Sequence, residues 1–316
     1  LKTRLCGICG SDLHQFKHAA EIDELVRSMG APGQDLSKGM VLGHEYVGEI
    51  VAFGPETQQS LKVGDRVVSV PFLMRDGAPV PIGANVEVDG AYAEYFLGSE
   101  ALLLKIPDDV PDAAAALVEP LGIAVHAVAK SFLNGDSHPC VILGCGPIGL
   151  AIAAVLKIRG VETIIASDFS PKRRALAQAM GATQAVHPKE ASPFSLLAPT
   201  APAIVFDCTG VRGVLSQAIV EAPVGSQIVV AGIPQGEDSF NPMIAIAKEL
   251  NLQFVLYYAP EEFAEALQAI AQGQLDWRPL VTGTVGLEGI EEAFSALGDP
   301  ETHAKIMIDP WSDARL

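Results

Sequence analysis

RLCGICGSDLHQ (Arg4 to Gln15) gathers Cys6, Cys9, Ser11, Asp12 and His14 in one short stretch. Thiol, hydroxyl, carboxylate and imidazole side chains so close together can hold a metal ion and pass protons. A redox Cys-x-x-Cys pair opens a helix in a thioredoxin-like unit, and a zinc knuckle takes a second close cysteine pair. The other close pair, Cys140 and Cys145, flanks a glycine turn instead, so neither of those two readings is complete. A catalytic zinc needs three protein ligands and an open position, and the ligands can lie far apart in the chain. VLGHEYVGE offers His44 and Glu45 for such a site, and ALVEPLG offers Glu119.

A second chemistry-bearing stretch is VILGCGPIGL, in which Gly144, Gly146 and Gly149 keep G-x-G-x-x-G spacing between an apolar strand and a helical pattern. Gly144 suits the tight turn, Gly146 lets a pyrophosphate approach the backbone, and Gly149 lets helix and strand pack closely. Pro147 and Ile148 fill the intervening places at the helix N-terminus, whose free N–H groups face the phosphates. Asp168 ends the next strand, where a carboxylate accepts hydrogen bonds from the adenosine ribose. Its charge would repel a 2′-phosphate, so NAD is the expected cofactor. Arg173 is placed to reach the same ribose; a solvated helix cation beside Lys172 and Arg174 is the alternative.

The elements that must position these groups fall into two kinds. Up to about residue 110 the chain shows short β-like runs, EYVGEIVAFG, DRVVSVPFL and GAYAEYFLGS, separated by turn signals, as in a small, mostly β domain. From Pro139, apolar strands alternate with helical patterns in the rhythm of a parallel sheet. LQFVLYY is expected as its sixth strand, PEEFAEALQAIAQGQL as an amphipathic helix, and HAKIMIDP as a short strand returning to the first domain.

Composition sets further bounds. Of 316 residues, 49% are apolar and 19% charged, which suits two globular domains. With 38 acidic against 21 basic residues, the net charge of −17 opposes a phosphate backbone, and nucleic acid is not an expected partner. The most apolar stretch, 113–129, is interrupted by Glu119, Pro120 and His126 and is too short and polar for a membrane span. No basic start precedes an apolar run at the first residues, so no export signal is expected. A cytoplasmic location is therefore expected, and five cysteines, odd in number and mostly in apolar runs, argue against a disulfide framework.

Taken together, CGICGSDLH, GHEYVGEIVAFG, GDRV, ALVEPLGIAVHAV and GCGPIGL resemble the zinc-dependent medium-chain alcohol and polyol dehydrogenases, over nearly the whole chain. The likeness is greatest to the sorbitol, butanediol and threonine dehydrogenase branch, in which Glu-Pro replaces a cysteine ligand. The resemblance implies an α/β protein: a Rossmann doubly wound parallel sheet over 122–258 and a GroES-like catalytic domain over 1–121 and 259–316. It puts Cys9 and His44 on one catalytic zinc, with Glu45 as third ligand or close neighbour and Glu119 binding directly or through a water. Cys6 is not a ligand by this reading. Ser11 and His14 match the proton relay, and Asp12 the carboxylate that orients the ligand histidine. The implied reaction interconverts a small secondary alcohol, a diol, polyol or sugar-like compound, and its ketone with NAD, in a homodimer or homotetramer. A zinc-free quinone or enone reductase and a non-catalytic dinucleotide-binding relative are the alternatives.

Three departures from the family stand out. Many relatives hold a structural zinc in a four-cysteine loop, whereas Pro71 to Asp89 contains no cysteine, so no structural zinc is expected. Relatives carry roughly 25 to 30 residues, enough for strands of the small domain, ahead of the ligand strand that opens this chain. Between His14 and His44 lies a longer segment than usual, including the acidic amphipathic helix candidate AAEIDELVRSMG, which either shapes the pocket or a subunit contact or is an ordinary surface helix.

Overall fold

The computed structural model describes residues 1–55, 57–132, 138–198, 201–234 and 236–316. Along the chain, β1 (Lys2–Gly7), α1 (Gly10–Ser28), β2 (Glu45–Glu49), β3 (Arg66–Ser69), β4 (Phe72–Arg75), β5 (Ala78–Pro81), β6 (Leu103–Lys105) and α2 (Asp112–Ala115) lead into α3 (Val118–Ala129). Next come β7 (Cys140–Leu143), α4 (Pro147–Ile158), β8 (Ile164–Ser167), α5 (Pro171–Met180), β9 (Gln184–Val186) and β10 (Ile204–Asp207). These are followed by α6 (Val214–Glu221), β11 (Gln227–Val230), α7 (Pro242–Ala247), β12 (Asn251–Phe254) and α8 (Pro260–Ala271). The chain ends with β13 (Val281–Val285), α9 (Ile290–Ala296) and β14 (Lys305–Ile308).

Two compact units divide it: residues 1–119 with 281–316, and residues 120–280. Among the described residues, the first unit holds a sheet in the order β13-β14-β1-β2-β3-β6. It is antiparallel except for the β13–β14 pair. HAKIMIDP does return as a strand, β14, pairing Cys6 with Ile308 and Gly7 with Met307. The cysteine-free stretch after β3 folds into the β4–β5 hairpin, closed by Asp76 and Gly77, both in left-handed backbone conformation. Ile82, Val88, Phe96 and Tyr46 form the apolar cluster behind it. GAYAEYFLGS, expected as a strand, makes only an isolated bridge from Tyr95 to Lys2. Burial does not alternate along it: Gly90, Ala91 and Phe96 are buried and Glu94, Tyr95 and Leu97 exposed, as in an irregular loop.

The second unit is a fully parallel sheet in the order β12-β11-β10-β7-β8-β9. β7 lies between β8 and β10, so the strand order reverses beside it, and in doubly wound sheets ligands bind outside the C-terminal strand ends at that reversal. All four residues of each of β7, β8, β10 and β11 are buried, as strands covered on both faces must be.

The crossings fall at Glu119/Pro120 and Leu280/Val281 rather than at 121/122 and 258/259. α8 explains the second difference, because its partners belong to the second unit. Tyr258 stacks on Phe263 at 5.4 Å, His126 Nδ1 lies 2.8 Å from Glu262 Oε2, and Arg159 pairs with Glu265. The segment Asp112–Ala129 is long and apolar enough to cross a membrane by length and composition, but it is mostly buried within the protein. It is a core segment broken between α2 and α3.

Phe263 is 1% exposed. Phe263→Ala is expected to cost about 3–5 kcal/mol, read as a fall in the urea midpoint. A change under about 1 kcal/mol would show that α8 is not part of this core.

Candidate active site

In the first unit, β1 delivers Cys9 to the start of α1, where its extended backbone caps the helix. Asp12, three residues on, accepts the Cys9 backbone N–H at 2.9 Å, so an acid in the first turn both caps α1 and meets the positive end of its dipole. The Asp12 carboxylate is 2% exposed and carries two further contacts. Tyr92 Oη donates to it at 2.7 Å, and His44 Nδ1 lies 3.3 Å away. Burial alone would raise the Asp12 pKa; the charge and ring N–H of His44, with the Cys9 amide and the Tyr92 hydroxyl, outweigh it and hold the pKa below its usual value. The other ring nitrogen of His44, Nε2, faces Ser11 Oγ at 3.4 Å.

The β1–β2 register, with Gly7 opposite Glu45, brings His44 and Glu45 to the end of β1 from which Cys9 departs. Gly7 is a glycine for a steric reason: a Cβ there would stand 2.2 Å from Glu45 Oε2. Cys9, His44 and Glu45 thereby offer ligand atoms all within 4.8 Å of one another. One thiol, one imidazole and one carboxylate form a donor set suited to zinc. Cys6 stands outside it, fully buried, with its thiol directed at the Gly7 carbonyl and its pKa pushed up by burial. Glu119, buried in the first turn of α3, is outside that tight cluster but near enough for its charge to help raise the pKa values of Tyr46 and Lys305. His14 follows Ser11 and Asp12 on α1, half-buried, its pKa lowered by burial and then by His18.

Two residues of this site escaped sequence reasoning. Lys305, 2% exposed, places Nζ 2.7 and 2.6 Å from the two Glu45 oxygens and donates to the Ile8 carbonyl at 2.9 Å. Burial would lower its pKa, but Glu45 overrides that and raises it. The available signal was a lysine inside the otherwise apolar run AKIMI. Tyr92, the donor to Asp12, left no signal beyond an aromatic in an alternating run.

In the second unit, Gly144 has φ +86°, the left-handed turn that glycine favours. At Gly149 an added Cβ would fall 2.0 Å from the Gly144 carbonyl oxygen, so close packing of α4 on the turn demands glycine. At Gly146, the N-cap of α4, an added Cβ would meet only Arg173 Nη1, at 3.3 Å. Pro147 and Ile148 then open α4. Asp168 follows β8 and accepts the Cys145 N–H and the Ser170 N–H, each at 2.8 Å, one on each oxygen. The Arg173 guanidinium lies at the Gly146 turn, and its Nε is buried without a hydrogen-bond partner among the described residues. A guanidinium with an unpartnered Nε, beside an open glycine turn and a helix N-terminus, fits an anionic dinucleotide.

Comparison with known proteins agrees with both halves. Residues 1–108 match the alcohol dehydrogenase GroES-like domain, and residues 147–272 match the zinc-binding dehydrogenase family. The chain is 31% identical over 322 residues to (R,R)-butanediol dehydrogenase of Bacillus subtilis (strain 168), covering 98% of this chain and 92% of that protein. It is 29% identical over 330 residues to D-xylulose reductase of Saccharomyces cerevisiae, covering 98% and 89%. The crystal structure of 2R,3R-butanediol dehydrogenase from Bacillus subtilis superposes with a TM-score of 0.81 at 30% identity, covering 98% of this chain and 91% of that one.

Lys305→Met would leave the Glu45 carboxylate buried without its cation, at an expected cost of about 3–5 kcal/mol in chemical denaturation. Combining it with Glu45→Gln is expected to recover most of that loss, since a neutral amide needs no cation. A double variant as unstable as the single one would place the cost elsewhere.

Proposed function

Because the chain belongs to the zinc-dependent medium-chain alcohol and polyol dehydrogenase family, we propose that it oxidises a secondary alcohol, a diol, polyol or sugar-like compound, to its ketone with NAD. The observation that carries this reading is the clustered Cys9–His44–Glu45 donor set in a chain that also holds a dinucleotide turn.

Cys9 and His44 would hold a single zinc with Glu45 as third ligand, and Glu119 acts directly or through a water. When bound, zinc supplies a Lewis acid that makes the substrate hydroxyl more acidic, and NAD supplies the hydride acceptor. The protein's own groups do the rest. Asp12 fixes the His44 ring through Nδ1 and leaves Nε2 for the metal, as carboxylates beside ligand histidines do. Ser11 Oγ accepts the hydroxyl proton, and His14 takes it on and releases it to water. Gly146 and the N-terminus of α4 receive the pyrophosphate. Asp168, with acceptor capacity left on each oxygen, takes the ribose hydroxyls, and Arg173 supplies the cation.

Further features support finer readings. β12 is the edge of its sheet, and Phe254 and Leu256 in LQFVLYY are each 62% exposed with no charge or proline to discourage pairing. A homodimer or homotetramer built on that edge follows. The five free thiols fit the reducing cytoplasm.

Elemental analysis of protein purified without added metal is expected to give about one zinc per chain, lost in Cys9→Ser, with NADH formed from a panel of secondary diols and polyols. A zinc-free wild type, or a zinc-loaded protein that reduces no NAD with any of the panel, would overturn the reading. Phe254→Lys is expected to lower the mass measured by light scattering toward that of one chain; an unchanged oligomer would remove the β12 edge from the interface.

A further inference from the structure

The chemistry-bearing groups of α1 do not end with Ser11 and His14. His14, His18 and Glu21 follow at intervals of four and three residues, and although α1 kinks at His18 their side chains stand in sequence beside one another. The two imidazole ring centroids lie 5.1 Å apart at an interplanar angle of 39°, and Glu21 Oε1 is 3.7 Å from His18 Nδ1. Paired histidines four residues apart on a helix are a spacing at which one face can grip a metal ion. None of the three belongs to the Cys9–His44–Glu45 cluster.

We propose that His14, His18 and Glu21 form a second site, for a borderline divalent cation such as nickel or zinc, whose occupation shuts the proton path at His14. Imidazole nitrogens select this class of ion over magnesium or calcium. Access favours it, because the side chains of His18 and Glu21 are 34% and 71% exposed. Closing on an ion would draw the three ligand atoms together by rotation of side chains about soft torsions. The backbone leaves helical geometry at His18, with φ −135° and ψ 31°, in the middle of the triad. Burial and the neighbouring His18 lower the pKa of His14, which favours the neutral ring that a metal needs. An ion there takes the lone pair with which His14 accepts a proton. That consequence rests on the relay role given to His14 above; the binding itself does not.

The test uses zinc-loaded enzyme titrated with Ni²⁺, reading bound nickel and retained zinc by equilibrium dialysis with elemental analysis, alongside the rate. Wild type is expected to bind one added nickel while keeping its zinc, and to lose activity with the same midpoint. Removing a group that merely supports a ligand weakens metal binding about 10–100-fold, so His18→Ala is expected to weaken nickel binding at least about tenfold. Its inhibition midpoint, taken relative to its own uninhibited rate, should move by the same factor, with the zinc content unchanged. Glu21→Ala is expected to give a smaller shift in the same direction and serves as the second variant should His18→Ala fold poorly. Wild type that takes up no nickel, or a His18→Ala variant that binds it as wild type does, would overturn the site. Nickel binding that depends on His18 but leaves the rate untouched would uphold the site and remove His14 from the proton path.

Discussion

Lys305 Nζ lies against both oxygens of Glu45 and the carbonyl of Ile8, with the lysine and the carboxylate each no more than 2% exposed. Taking two charges out of water costs several kcal/mol per ion, and only full hydrogen bonding offsets it. The three acceptors around Nζ match the three donors of an ammonium group. The contact ties β14 to β2 across β1, between residues 260 apart in sequence, at the end of β1 from which Cys9 departs. Carboxylates crowd this end of the sheet, Asp12, Glu45 and Glu119, beside the Cys9 side chain. Lys305 is the buried fixed cation set against them, and a bound dication would reduce the remaining excess. The ion pair therefore makes a carboxylate-rich cluster tolerable inside the protein.

Close approach of backbone is the second requirement, and it is met in the same way in each unit. Gly7 lets the Glu45 side chain lie over β1, and Gly149 lets α4 close onto the carbonyl of Gly144. In both places a methyl group would stand about 2 Å from an oxygen (2.2 and 2.0 Å), a separation that no side-chain rotation relieves at Gly149 because the oxygen is backbone. Asp12 and Asp168 follow a shared logic too. Asp12 accepts the Cys9 N–H and the Tyr92 hydroxyl on Oδ2 with His44 Nδ1 beside Oδ1, Asp168 accepts one backbone N–H on each oxygen, and each thereby fixes a loop: the start of α1 in one case, the glycine turn in the other.

What could be read in the sequence was what is local. The dinucleotide turn lies within VILGCGPIGL, and the strand–helix alternation after it matches the parallel sheet through β12 and the helix α8, while β14 was read as a strand returning to the first unit. Cys9, His44 and Glu45 were legible by type as candidate metal donors, because metal chemistry restricts the residues that can serve, and the structure brings them together. Their support was not: Tyr92 reaches Asp12 across 80 positions and Lys305 reaches Glu45 across 260, and no periodicity records such pairings. Gly10, Ser11 and Asp12 resemble turn formers, yet with Asp12 capping Cys9 they begin a helix that runs on to Ser28, absorbing most of AAEIDELVRSMG. The later crossing at Leu280 was hidden for a similar reason, since the residues that claim α8 for the second unit, His126 and Arg159, lie more than a hundred positions upstream.

Charge poses a last question, because a chain of net charge −17 must receive a cofactor that is itself an anion. Long-range attraction does not help, and at physiological salt it fades within roughly 8 Å in any case. The remedy is local. Lys172, Arg173 and Arg174 occupy the first turn of α5, immediately after the Asp168 loop, and Ser170 caps that helix through the Arg173 N–H. Arg174 spends its charge on structure, donating to the carbonyls of Asp168 and Phe169 and so holding the loop in place. Arg173 keeps its guanidinium at the Gly146 turn, where α4 presents its N-terminus. A cation and a helix dipole converging on one glycine outweigh a distant, screened excess of carboxylates. The acidity of the whole chain thus bears on its solubility, while at the Gly146 turn the local field is set by the Arg173 guanidinium and the N-terminus of α4.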